Sequence, residues 1–164
     1  AYARRVLAAL PEHGVAADPL MLPGSFPDPT PADLAETARL LAATDPAAPI
    51  LFDGLAYGAL PVDLIAAAAA RIVPLVHHPL AFEAGLSAAR QAELLASERA
   101  ALALAPRILA SSPTTKRLLA DAYGVDAARV TIAEPGTDPA PRAAGSGGAP
   151  ALLAVGAVSP RKGY

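Results

Sequence analysis

Residues 108–138, ILASSPTTKRLLADAYGVDAARVTIAEPGTD, constrain the fold more than any other stretch, because each boundary inside them has a local cause. An apolar run at 108–110 stops at two serines. Ser112 is a helix N-cap whose hydroxyl can accept from an orphan amide of the first turn. Pro113 follows at the first helical position, where its missing N–H costs nothing. Leu118, Leu119 and Ala122 lay an apolar stripe along one side, with Lys116, Arg117 and Asp121 toward water. Gly124 supplies a left-handed stop. Residues 129–133 form the next strand, and Glu134-Pro135-Gly136 break it. Strand, helix and strand in this order make a β-α-β unit, which demands a right-handed crossover and a parallel sheet.

The rest of the chain repeats that alternation. Residues 2–10 are helical by pattern, with Val6, Leu7 and Leu10 expected inward and a close at His13-Gly14. Residues 15–22 are expected to form a strand interrupted by Asp18-Pro19. Four prolines in 23–31 exclude regular structure there. Thr30 then caps, Pro31 opens and Asp33 sits in the first turn of a helix to about residue 43. A brief strand at 49–52 ends at Asp53-Gly54, and an apolar helix is expected at 61–71, its alanines close against the sheet. Residues 72–76 form a further strand, followed by His77-His78-Pro79. Ser87 caps a long helix to residue 105. Ala92, Leu95, Ala96, Leu102 and Ala103 are expected on its inner face, and Arg90, Glu93, Glu98 and Arg99 on a solvated one. Such alternation marks an α/β fold with a doubly wound parallel sheet, helices on both faces. Residues 137–150, TDPAPRAAGSGGAP, read as a linker, and 151–155 as the first strand of a second domain.

Composition narrows the function classes. A chain of 164 residues is long enough for one domain with a real core and short for two. With 54% hydrophobic and 17% charged residues it should fold rather than stay disordered. A net charge of −2 gives no electrostatic footprint for nucleic acid. Cysteine is absent, which excludes disulfides and thiolate metal sites and fits a reducing, cytoplasmic setting. No run approaches the roughly 20 apolar residues of a membrane span. Arg4 and Arg5 lie inside an amphipathic segment, not ahead of an apolar one as in a signal peptide. Residue 1 is not methionine and the last five residues look like the start of an element, so the chain is expected to be an excerpt of a longer protein.

In open α/β sheets, ligands bind at the carboxyl ends of the strands. Three such ends carry polar residues here: Asp53-Gly54, then His77-His78-Pro79 with Glu83 beyond, then Ser111-Ser112 with Thr114. A histidine just past a buried strand can donate to or accept from a substrate hydroxyl near neutral pH. Equally, two adjacent histidines can end a strand, one capping and one exposed. His77 directly follows the strand and is expected to be the better fixed; His78, one residue into the loop, the freer. A metal site is the weaker alternative, since adjacent histidines point apart and zinc needs about four ligands. Asp53 can meet an acceptor hydroxyl or make a turn, the turn being favoured. Glu83 is an acceptor contact or, more simply, a loop charge. Ser111 and Ser112 are most simply a strand end and a helix cap, though a phosphate is physically allowed at that helix N-terminus. No G-x-S-x-G elbow accompanies them. A strand ending at Gly156, then Arg161-Lys162-Gly163, is a phosphate cradle or an exposed basic loop. No G-x-G-x-x-G follows a strand, so a dinucleotide site is not indicated.

Three segments in order carry a family resemblance: Leu75-Val76-His77-His78-Pro79, the serine-capped helix running through YGV to EPGTD, and Val155-Gly156 through Lys162-Gly163. Together, from about residue 49 onward, they resemble glycosyltransferase family 4, the retaining GT-B enzymes. Pro135 and Thr137 depart from the family's usual asparagine and valine, while Gly136 and Asp138 match. Ala157 stands where an arginine is usual, and Arg161 is the candidate substitute. The resemblance implies a Rossmann-like acceptor-side domain over 1–136 that lacks its first strand, a linker over 137–150, and the start of a donor-binding domain at 151–164. It implies sugar transfer of the hexosyltransferase type, from a nucleotide-sugar donor to an acceptor, with retention and without a metal or other cofactor. His77 would lie at the reaction centre, His78, Asp53 and Glu83 at the substrate, and Gly156, Arg161, Lys162 and Gly163 at the donor diphosphate. Such an enzyme is compatible with peripheral membrane association, and this excerpt alone would be inactive. The alternative is a non-catalytic α/β binding module, a degenerate transferase domain used for protein contacts. A second Rossmann-like half carrying a carboxylate pair would separate the two.

Overall fold

A computed structural model describes residues 2–145, 147–149, 152–153, 155–156 and 158. Four strands form one all-parallel sheet in the order β1 (Ile50–Asp53), β2 (Ile72–Val76), β3 (Ile108–Ala110), β4 (Val130–Ile132). The helices α1 (Tyr2–Ala9), α2 (Pro31–Ala42), α3 (Gly54–Tyr57), α4 (Val62–Ala66), α5 (Ala88–Leu104) and α6 (Pro113–Tyr123) flank it. This is the organisation of a Rossmann-like α/β domain, and its sequential strand order is one winding run of such a sheet.

The core gathers on the strand face that carries Phe52, Ile72, Val76, Ile108, Ala110 and Val130. Parallel register places Ile50 beside Ile72 and Ile108 beside Val130, so alternate residues stack into one apolar layer. Leu94, Ala101, Leu102 and Ala105 of α5 and its C-terminus close over it, with Leu119 and Tyr123 of α6 and Tyr57, Leu60 and Ile65 from 57–65. The last-turn carbonyls of α5 lack helical partners. The Tyr57 hydroxyl donates to Ala101 O at 2.8 Å, and Arg129 Nη2 donates to Leu102 O at 2.6 Å and to Ala105 O. Burial pushes the Tyr57 phenol up to about 12.

Helix boundaries follow the caps. Thr30 and Asp33 form a reciprocal capping box on α2, Ser87 accepts from Arg90 N, and Ser112 accepts from Thr115 N at 3.0 Å. Gly124 ends α6 at φ 68°. Bonds from the Thr30 side chain, then Ser25, hold the Asp33 carboxyl below its usual range.

Several expectations are corrected. Residues 15–22 form no strand: residues 11–21 are exposed, and no ladder partner stands beside them among the described residues. Two short apolar runs cannot make a strand without a neighbour, and Asp18-Pro19 removes a donor. None of α1 is buried; Val6 and Leu10 are half-buried and Leu7 exposed. The helix expected at 61–71 ends at Ala66 and tightens into a 3-10 turn at Ala69–Arg71, where Arg71 reaches Asp45 O, Ala48 O and Thr44 Oγ1. Where a turn at Asp53-Gly54 is favoured by the sequence, the chain instead forms α3 with Asp53 as its N-cap. On α5 the buried residues are Leu94, Glu98, Ala101 and Leu102, whereas Ala92, Ala96 and Ala103 are exposed. An alanine-rich helix offers little contrast between its faces, which is why its inner side was misjudged. Glu98 is thus in the core, not on the solvated face. Lys116 is half-buried, its ammonium donating to Val130 O at 2.7 Å.

Residues 134–145 are exposed and without regular structure. The expected strand over 151–155 falls partly, and Arg161, Lys162 and Gly163 wholly, outside the described residues; Gly156 is exposed.

Candidate active site

Parallel register brings the polar strand ends to one edge. Asp53 pairs with Leu75, two residues before His77, and Val76 pairs with Ala110, one residue before Ser111. The Ser111 amide donates to Val76 O at 3.1 Å, which extends the ladder by one bond. Beyond it, the His77 carbonyl accepts from Ser111 Oγ at 3.0 Å and Thr115 Oγ1 at 3.3 Å. Two hydroxyls from the neighbouring strand and helix therefore fix the main chain of His77. Its side chain is exposed, with the Tyr2 ring edge-on at 5.0 Å. No hydrogen bond to its ring nitrogens is formed among the described residues. Tyr2 is held in turn, its phenol donating to Ala133 O at 3.2 Å.

His78 behaves differently, and opposite to the sequence expectation. It is half-buried, and its Nε2 lies 3.0 Å from Phe82 O and 4.0 Å from Glu83 Oε1. A carbonyl only accepts, so Nε2 carries the proton in this contact. His78 is the histidine whose side chain is pinned, and His77 the one whose ring is presented. The 3-10 turn Leu80–Phe82 folds back beneath the pair and supplies that carbonyl.

Asp53 accepts from Leu55 N at 2.9 Å and caps α3. Its neighbour must be glycine, because a Cβ on Gly54 would stand 2.8 Å from Leu75 O. The Asp53 carboxylate is exposed at the same edge as His77. Ser112 is committed to its cap and to a shared bond with Thr115 Oγ1 at 3.0 Å. The structure thus brings His78 and Glu83 together, with His77 next to His78 in the chain and Asp53 on the adjacent strand end. Among the described residues no group of three or more His, Asp or Glu side chains is placed to hold a metal ion. A groove of about 380 Å³ lies elsewhere, between the 27–29 loop and α5; it is bridged by Arg90 to Asp28 and contains none of these strand-end residues.

One residue beside the turn escaped the sequence reading. Glu98 is 1% exposed, and its Oε2 accepts from Leu80 N at 3.0 Å and from the Tyr123 phenol at 2.5 Å. Burial pushes its carboxyl up to about 7, against the lowering effect of the Tyr123, Leu80 and Ala81 donors. Burial, then the same bond, raises the Tyr123 phenol well above its ordinary range. The signal for Glu98 was its register: four residues after Leu94 and three before Ala101, it falls in line with the buried stripe.

The family model for Glycosyltransferase Family 4 matches residues 3–141. The chain belongs to glycosyltransferase family 4. The match spans the four-stranded sheet and every strand end described above, so this is a transferase domain with a Rossmann-like α/β fold. No curated protein and no solved structure matches the chain. No helix among the described residues is long and apolar enough to cross a membrane.

Proposed function

We propose that this family 4 domain is the acceptor-side half of a retaining enzyme that moves a sugar from a nucleotide-sugar to an acceptor hydroxyl. The observation that carries this is the His77 imidazole, presented at the carboxyl end of β2 on a main chain held by Ser111 and Thr115. A side chain on a fixed backbone, with its nitrogens open, is suited to a hydrogen bond that strengthens as the sugar departs. In this reading the glycosidic bond to the diphosphate breaks while the bond to the acceptor oxygen forms on the same face, and the acceptor hydroxyl's proton passes to the leaving diphosphate oxygen. Asp53 and Glu83 contribute acceptor contacts, and His78 shapes the turn. Gly156, Arg161, Lys162 and Gly163 meet the diphosphate, whose developing charge the basic groups stabilise. The reaction needs no cofactor beyond the donor.

The domain division belongs to the same proposal: 1–136 on the acceptor side, 137–150 as linker, and 151–164 opening a donor-binding domain. In this reading the domain works in the cytoplasm. The test is release of nucleoside diphosphate by the intact enzyme, screened over nucleotide-sugars and hydroxyl acceptors, with the anomeric configuration of the product read by NMR. A folded intact protein that neither binds nor turns over any nucleotide-sugar would favour the binding module instead.

A further inference from the structure

The turn that carries the two histidines is held by side chains bonded to its main chain, and one of them is a buried carboxylate. Gln91 Nε2 donates to Ala81 O at 3.0 Å, and His78 donates to Phe82 O at 3.0 Å. The Leu80 amide donates to the Glu98 carboxylate, and the Ala81 amide also bonds it. The neighbours of Glu98 on the stripe are aliphatic, and Gly58 lacks a side chain where a Cβ would stand 2.9 Å from Glu98 Cγ. Gly58 leaves room for the methylenes of Glu98, and two donors are aimed at one of its carboxylate oxygens.

We propose that Glu98 is the positioning residue of this site, its carboxylate setting the main chain of the 77–83 turn through the Leu80 amide and thereby the placement of His78 and His77. The ionised form makes charge-assisted bonds to Leu80 N–H and Tyr123 O–H, which draw the turn onto α5 and α6; the neutral form holds them more weakly. Few other titratable or charged groups face it. Tyr123 on α6 is bonded to it directly. Tyr57 of α3 turns its hydroxyl to Ala101 O. Arg99, next on α5, sends its guanidinium to Ala122 O. His78 and Glu83 lie on the turn itself. No guanidinium or ammonium is bonded to the Glu98 carboxylate among the described residues, so its charge rests on neutral donors.

The proposal takes its importance from reading this turn as the site, but its test needs no substrate. Amide resonances of residues 77–83 are followed by NMR in the wild-type chain and in Glu98→Gln, a neutral near-isostere. The two sets should nearly coincide at about pH 5, where both side chains are uncharged, and separate above about pH 8, as expected for a buried carboxyl titrating between. Leu80 should shift most, with a midpoint near the value of about 7 held by Glu98. Tyr123→Phe removes a donor to the carboxylate and should move that midpoint upward; it serves as the second variant if Glu98→Gln does not fold. Spectra that coincide at every pH, or differ equally at every pH, would overturn the proposal, as would an unmoved midpoint in Tyr123→Phe. Loss of the catalytic reading of His77 would leave these outcomes untouched.

Discussion

Ser111 Oγ lies 3.0 Å from the carbonyl oxygen of His77, one strand away, so the residue that follows β3 holds the residue that follows β2. Thr115 supplies a second hydroxyl to the same oxygen at 3.3 Å. The pair is redundant by geometry. Ser111→Ala alone should cost no more than about 1 kcal/mol, because the carbonyl keeps one donor. Adding Thr115→Val should cost more than the sum of the single changes, since the carbonyl then loses both. Urea unfolding of the two single variants and the double variant measures this coupling.

Glu98 gives the folded domain a pH dependence of definite sign. Its carboxyl stands near 7 when folded, against a reference of 4.5. Between those values the native state holds a proton that the unfolded chain has released, so stability falls as pH rises. The contribution is complete below the reference value and lost as pH passes the folded one, a difference of order 3 kcal/mol. Glu98→Gln should flatten this part of the profile and be at least as stable as wild type above about pH 8. Denaturant midpoints taken across the range decide it; a wild-type domain whose stability rises through that window would refute it.

Gly54 is constrained by space. A Cβ there would sit 2.8 Å from Leu75 O and 3.1 Å from Val76 Cα, both main-chain atoms of β2. Gly54→Ala must therefore part α3 from the strand that leads to His77. A loss of about 1–3 kcal/mol is expected, read by thermal melting, with the His77 and His78 resonances displaced as well.

The β-α-β unit and the strand end at His77 were readable because their causes are local. Ser112, Pro113 and Gly124 start and stop α6 by their own chemistry, as Thr30 and Asp33 start α2. What escaped depends on partners distant in sequence. Residues 15–22 are apolar on both sides of Asp18-Pro19, but among the described residues no strand lies beside them to pair with. Glu98 was assigned to water by residue type, since an acid is rarely buried without partners; its partners, Leu80 N and Tyr123 O–H, exist only after folding. His78 was expected to be the freer histidine, and is the pinned one because the 80–82 turn offers it a carbonyl. The diphosphate contacts drawn from Arg161, Lys162 and Gly163 rest on the sequence, as these lie outside the described residues.

The two histidines should separate by what they damage. His78→Ala removes the bond to Phe82 O and should cost about 1 kcal/mol of stability, a typical net hydrogen bond, with the smaller effect on turnover. His77 fills no core volume, so His77→Ala should leave the denaturant midpoint close to wild type.

Turnover of His77→Ala in the intact enzyme tests the central claim most directly, measured beside its unfolding curve. A transition-state hydrogen bond from His77 predicts a loss of about 10²-fold or more in turnover number with the fold intact, the scale of a single lost oxyanion-type donor. If His77→Ala unfolds the domain yet keeps its specific activity per folded molecule, His77 is structural and the catalytic assignment is wrong.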